Sequence, residues 1–150
     1  MLGTFAVGNS PIAAAFDGSD VWVTNYGANT VTKLRASDGA VLGTFTVGYG
    51  PLGIAFDGAS MWVANRNDGT VSKLRASDGA VLGTFPVPPA PYGIAFDGTY
   101  MWVSGDLFMY VLRASDGTAV VHQHMQSGGV AFDGAYIWTA GPNFSLLYKF

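Results

Sequence analysis

Short runs of alternating apolar and polar side chains fill the whole chain, broken every few residues by Gly, Asn, Asp or Pro. The stretch from residue 52 to residue 87 displays the pattern most clearly. Leu52 to Asp57 is small and apolar, Asp57-Gly58 supplies a tight turn, and Met61 to Asn65 returns. Asn67-Asp68-Gly69 turns the chain again, and Thr70 to Arg75 alternates as a half-buried strand does. Ser77-Asp78-Gly79 then leads into Val81 to Val87. Such turn residues tolerate the positive φ that tight hairpins demand. The pattern predicts a four-stranded antiparallel meander. Helical spacing is sustained nowhere, and Gly and Pro recur too often for helices of useful length, so essentially no helix is expected.

That meander is one unit of an internal repeat, and a fixed period governs how the rest is interpreted. Leu-Gly-Thr-Phe starts at Leu2, Leu42 and Leu82, 40 residues apart. Ala-Phe-Asp-Gly starts at Ala15, Ala55, Ala95 and Ala131, and Arg-Ala-Ser-Asp-Gly at Arg35, Arg75 and Arg113, so the last intervals shorten to 36 and 38. Four copies divide a single domain, residues 1–150, at about 8–47, 48–87, 88–125 and 126–150, with residues 2–7 as an additional strand. One four-stranded sheet has two apolar faces and needs a neighbour on each, a need that radial stacking meets. The expected fold is all-β: a β-propeller of four-stranded antiparallel blades, four per chain, with the N-terminal strand completing the last blade.

Trp22, Trp62, Trp102 and Trp138 recur at one position of the second strand and are expected to fill the space between blades. The aspartates of Ala-Phe-Asp-Gly (Asp17, Asp57, Asp97 and Asp133) recur at a turn, where capping of backbone N–H groups is expected rather than catalysis.

Composition narrows the functional classes. The chain of 150 residues is 49% hydrophobic and 11% charged, which argues for a core-rich fold and against disorder. It holds no cysteine, which removes disulfides and thiolate metal sites, and no glutamate. Ten aspartates face seven Lys and Arg for a net charge of −3, so no basic stripe exists for nucleic acid. Pro11 and Asp17 interrupt the first apolar run before it could act as a signal or span a membrane, so no membrane partner is expected. No compartment is assigned.

Val21-Trp22-Val23-Thr24-Asn25-Tyr26-Gly27 followed by Asn29-Thr30-Val31 resembles the repeats of bacterial propellers of the YVTN and NHL kind, and more broadly the virginiamycin B lyase-like group. The resemblance covers the whole chain. It implies propeller architecture and a family spread over binding modules, surface-layer components and some enzymes.

Propellers expose the loops between second and third strands, together with the inter-blade connections, on one face. Here those loops read Asn25 to Asn29, Asn65 to Gly69, Gly105 to Phe108 and Gly141 to Phe144, and they are where the copies differ. Pro11, Pro51 and Pro91 rigidify the connections, with Ser127 at the fourth such position. Against the reading of plain solvated turns, the functional one is a shallow polar pocket for a small molecule or glycan, contacted by Tyr26, Arg66, Asn67, Asp106 and Asn143. No catalytic residue, metal ligand set or cofactor is assigned. His122 and His124 sit two apart on the outer strand of copy three, a spacing that suits chelation, but no third ligand accompanies them. The favoured function is a non-enzymatic scaffold or binding module. The alternative is a metal-assisted lyase or lactonase similar to virginiamycin B lyase, using Asp106 and the histidines; Ser127, His124 and Asp106 lack a nucleophile-elbow context.

Aligning Trp138 with Trp62 sets Lys149 on Lys73 and Phe150 on Leu74, while Met1 aligns with Val41 or Val81. Residues 2–7 are therefore expected to supply the fourth strand that copy four lacks, covering an open sheet edge. The favoured arrangement is an eight-bladed homodimer formed by exchange of these strands. Small residues on the innermost strands, Gly53, Ala55, Gly93 and Ala95, keep a four-bladed monomer as the alternative.

Overall fold

A computed structural model describes residues 3–87, 89–141 and 146–150. Its described residues contain no helix; their strands form four antiparallel sheets ordered along the chain. The first sheet is β1 (Pro11–Phe16), β2 (Asp20–Asn25), β3 (Thr30–Arg35) and β4 (Val41–Thr46). The second is β5 (Pro51–Phe56), β6 (Ser60–Asn65), β7 (Thr70–Arg75) and β8 (Val81–Pro86). The third is β9 (Pro91–Phe96), β10 (Tyr100–Gly105), β11 (Phe108–Arg113) and β12 (Ala119–His124). The fourth has three strands: β13 (Val130–Phe132), β14 (Ile137–Gly141) and β15 (Leu146–Lys149). The four-stranded meander predicted from the repeat is present in the first three copies, with strand bounds within a residue of those expected in copy two.

Each sheet packs on the next mainly through its first strand, β1 on β5, β5 on β9 and β9 on β13. Close approach there depends on missing side chains. A Cβ on Gly53 would lie 2.5 Å from the Tyr92 carbonyl oxygen, so the small residues expected on the inner strands serve sheet-to-sheet contact.

Trp22 and Trp62 fill joints between sheets, as the sequence suggested, and all four tryptophans have a partner that it did not reveal. In each copy one oxygen of the turn aspartate accepts backbone N–H bonds from the residues two and three further on. The other oxygen accepts the indole N–H of the tryptophan five residues on, at 2.6–2.7 Å. Trp22 and Trp62 are completely buried, and burying such a ring contributes about 2–3 kcal/mol. Opposite them in strand register stand Lys33 and Lys73. These ammonium groups lie over the indoles and donate across the joint, Lys33 to the Ala76 carbonyl at 2.8 Å and Lys73 to that of Ala114 at 2.6 Å. Lys33 also pairs with Asp17 and Asp20, Lys73 with Asp57. A buried cation so surrounded is compensated by carboxylate, carbonyl and ring face together.

A phenylalanine of the outer strand closes each of the first two joints. Phe45 stacks on Trp22 with ring centroids 5.5 Å apart, and Phe85 on Trp62 at 5.6 Å. The far face of each ring covers a glycine in the next sheet's Ser-Asp-Gly turn, Gly79 and Gly117 respectively, where φ is +76° and a Cβ would fall 2.1 Å from ring carbon. The third joint departs from this scheme. Gln123 and Val111 stand at the Phe and Lys positions, and Trp102, half-buried, meets Phe150 at 5.6 Å instead.

Residues 3–7 are not in a strand, and the fourth sheet stops at three strands among the described residues, so the completing strand expected from the repeat is not formed within one copy. The segment lies against the first sheet instead, with Phe5 over Gly39 as Phe45 lies over Gly79. Leu2 lies outside the described residues.

Burial pushes the Asp17 carboxyl upward, but the Trp22 indole, the backbone N–H groups of Asp20 and Ser19 and the Lys33 charge outweigh it and hold the group below the usual carboxylate range. Asp133 is held low chiefly by the Trp138 indole. Asp38, Asp78 and Asp116 are held low chiefly by the N–H groups of Ala40, Ala80 and Thr118.

Two outcomes are expected. Gly79→Ala combines a strained φ with a collision on Phe45 and should cost about 3 kcal/mol, whereas Gly58→Ala, with open space around its Cβ, should cost about 1 kcal/mol; urea unfolding measures both. The second concerns acid. A carboxyl with a lower pKa folded than unfolded leaves the unfolded chain holding more protons between the two values, so its stabilisation is full above the unfolded pKa and lost as pH falls through the folded one. The urea midpoint should therefore decline below about pH 4, and Asp17→Asn should make that decline shallower. An unchanged slope would mean that Asp17 does not contribute.

Candidate functional site

The loops joining second to third strands meet the connections that enter each first strand. Tyr26 and Gly27 donate their N–H groups to the carbonyls of Ser10 and Asn9, and Arg66 and Asn67 donate theirs to Gly50 and Tyr49. Asn29 takes a left-handed φ of 56°, as the turn composition suggested, and its side-chain oxygen accepts the Gly50 N–H at 3.0 Å. Asp68 accepts the Tyr49 N–H at 2.7 Å. This lattice stiffens one end of the sheets and fixes where its side chains project.

Four of the five contact residues expected from sequence come together in pairs, each spanning two sheets. The Tyr26 hydroxyl and the Asn67 side chain lie 3.3 Å apart, joining first and second sheets. Arg66 reaches Asp106 at 3.6 Å, joining second and third. Asn143 lies outside the described residues.

Tyr92 is the member the sequence did not single out. Its hydroxyl donates to Asp106, and the Arg66 guanidinium lies 4.1 Å from the centre of its ring. It stands where the first two copies carry Ile12 and Leu52, so the replacement of an aliphatic repeat residue by tyrosine was the available signal.

Beside this cluster a cavity of about 450 Å³ opens, lined by Tyr92, Gly105, Asp106, Gln126, Ser127, Gly128 and Gly129. Tyr92 gives it an aromatic wall, Asp106 a carboxylate, and the glycines expose backbone. The Ser127 hydroxyl accepts the Gly105 N–H at 3.3 Å, and no described histidine lines the cavity. His124 ends the outer strand β12, its ring edge-on to Phe108 at 5.1 Å. The side chain of His122 lies outside the described part. Among the described residues no three His, Cys, Asp or Glu side chains gather as a metal site.

The sequence matches no family model and no curated protein. Solved structures share its fold. Hydrazine synthase from Kuenenia stuttgartiensis superposes with a TM-score of 0.79 at 22% identity, over 93% of this chain and 44% of that one. A streptogramin B lyase gives 0.72 at 16% identity, over 93% and 54%. The computationally designed Ika4 protein gives 0.84 at 14% identity, over 97% and 92%. This chain thus spans about half the length of the first two, and the likeness is one of propeller-like fold.

Because the paired loop side chains are partly exposed and lie outside the joints, Arg66→Ala and Tyr26→Ala should each reduce stability by less than about 1 kcal/mol. Thermal unfolding measures this; collapse of the cooperative transition in either variant would assign these side chains to the frame rather than to a surface for ligands.

Proposed function

We propose that the chain is a non-enzymatic binding propeller of the YVTN and NHL kind, presenting the Tyr92-Asp106 cavity to a small polar ligand such as a glycan, and forming an eight-bladed ring from two copies. The observation that carries the binding reading is the cavity's chemistry. An aromatic wall beside a carboxylate and exposed peptide groups suits hydroxyl-bearing ligands. Catalysis would require an acid, a base and a nucleophile in mutual reach. Tyr92, Asp106 and Arg66 instead engage one another, and the cavity's serine is engaged by backbone.

Support for the two-copy ring comes from the outward flanks. Ile12 of the first sheet and Phe5 lying against that sheet are each 56% exposed, and Leu147, on the same face of the fourth sheet as Trp138, is 64% exposed. Apolar side chains left exposed on these two sheets suit burial against another sheet. Residues 2–7 of each copy would then complete the last blade of the other.

Sedimentation of the 150-residue chain should give a species of twice 15.7 kDa at micromolar concentration. A folded species of single mass would remove the two-copy reading. The purified protein should neither open lactones or cyclic depsipeptides nor gain activity from magnesium. Turnover lost in Asp106→Ala or His124→Ala would instead support a lyase.

A further inference from the structure

The seam of such a ring can be drawn from joints already inside the chain. Trp22 clusters with Met61, Val63, Leu74 and Ala76 of the second sheet, and Trp62 with Met101, Leu112, Val103 and Ala114 of the third. The same four repeat positions on the first sheet are Val21, Val23, Leu34 and Ala36. Together with Phe5, Val7, Arg35 and Gly39 they line an apolar cavity of about 280 Å³ on the outward flank. It has the walls of the inner joints, and no tryptophan lies in it.

The matching half stands on the fourth sheet. Trp138 is only partly buried, unlike Trp22 and Trp62, yet its indole is already oriented by Asp133 at 2.7 Å. Lys149 faces it in register as Lys33 faces Trp22, but its ammonium rests 3.5 Å from the Tyr136 ring centre rather than on a following sheet's carbonyl. Phe5 covers Gly39 as Phe45 covers Gly79, yet no described ring stacks on it as Trp22 stacks on Phe45. One flank thus carries the socket and the covering phenylalanine, while the other carries the tryptophan and the lysine.

We propose that the Val21-Val23-Leu34-Ala36 socket receives Trp138 of a second copy of this chain, with Lys149 of that copy donating to the Ala36 carbonyl oxygen and Phe5 stacking on the incoming indole. The inference rests on the two-copy reading and names the joint that holds it. A single chain bears one socket and one key on opposite flanks, so the contact is head to tail and closes into a ring when the rotation per copy allows. Arg35, the one charged side chain in the socket wall, is occupied by Asp38 of its own turn at 3.0 Å, which leaves an uncharged recess for an indole.

Two variants test the joint by sedimentation across a dilution series, with circular dichroism as the check on folding. Trp138→Ala removes the key. Ala36→Trp, at an exposed position, fills the socket from its own side and leaves the sheet cores untouched. Each should weaken self-association about 100-fold while the β-sheet spectrum persists. Wild-type dilution should also shift tryptophan emission to the red, a shift that Trp138→Phe should diminish. A wild-type dimer whose association is unchanged by Ala36→Trp would overturn the proposed joint and leave the two-copy reading standing. Wild-type protein of single mass would overturn both. A larger head-to-tail assembly dispersed by both variants would keep the joint and overturn the count of eight.

Discussion

The hydrogen bond from each tryptophan indole to the aspartate of its own sheet's first turn orders the rest of the molecule. That carboxylate closes the turn with one oxygen and aims the indole with the other, so strand pairing within a sheet and packing between sheets are fixed by one side chain. At Trp22 and Trp62 the aimed indole then offers two specific faces: a lysine reaches over it toward the following sheet, and a phenylalanine of the outer strand stacks beside it. A charge-assisted bond of this kind contributes about 1.5–3 kcal/mol. Its geometric effect is greater, because without it a large ring on a flat sheet has several equivalent orientations.

The two complete inner joints differ from the third for a reason visible in individual residues. Val111 replaces the bridging lysine and Gln123 the stacking phenylalanine, and the space they vacate remains as an apolar groove of about 330 Å³ beside Trp102, Val111, Gln123 and Phe150. The same sheet carries Tyr92 and Asp106, which together with Arg66 form the polar cluster of the loop face. The third copy thus departs from the repeat both at its outer edge and beside the cavity.

Much of this was legible in the sequence because hairpins are local. Asp57-Gly58, Asn67-Asp68-Gly69 and Ser77-Asp78-Gly79 announce turns by their backbone demands, and the alternation between them announces strands. Gathering Tyr26, Arg66, Asn67 and Asp106 on one face also followed from the repeat, since equivalent loops of stacked units emerge at the same end. The pairing of these residues was not legible. Tyr26 meets Asn67 across 41 positions, and Lys73 meets the Ala114 carbonyl across the same separation, so each contact depends on how one sheet rests on the next. Phe45 on Gly79 was hidden likewise: the turn glycine looked like a requirement of φ alone, although the ring above it imposes an independent one.

The bare backbone at Gly53 has an effect at the scale of the whole assembly. Neighbouring sheets approach backbone to backbone along their inner strands, where Gly53 lies against the Tyr92 carbonyl, and are spaced farther toward the outer strand, where the Phe85 ring stands between the second sheet and Gly117 of the third. The difference between those two spacings sets a wedge angle, the angle through which one sheet turns from the next. A single methyl group at the narrow end would push the inner strands apart and reduce that angle. In a stack of this kind, the tilt of one sheet on the next depends on the side chain that residue 53 does not have.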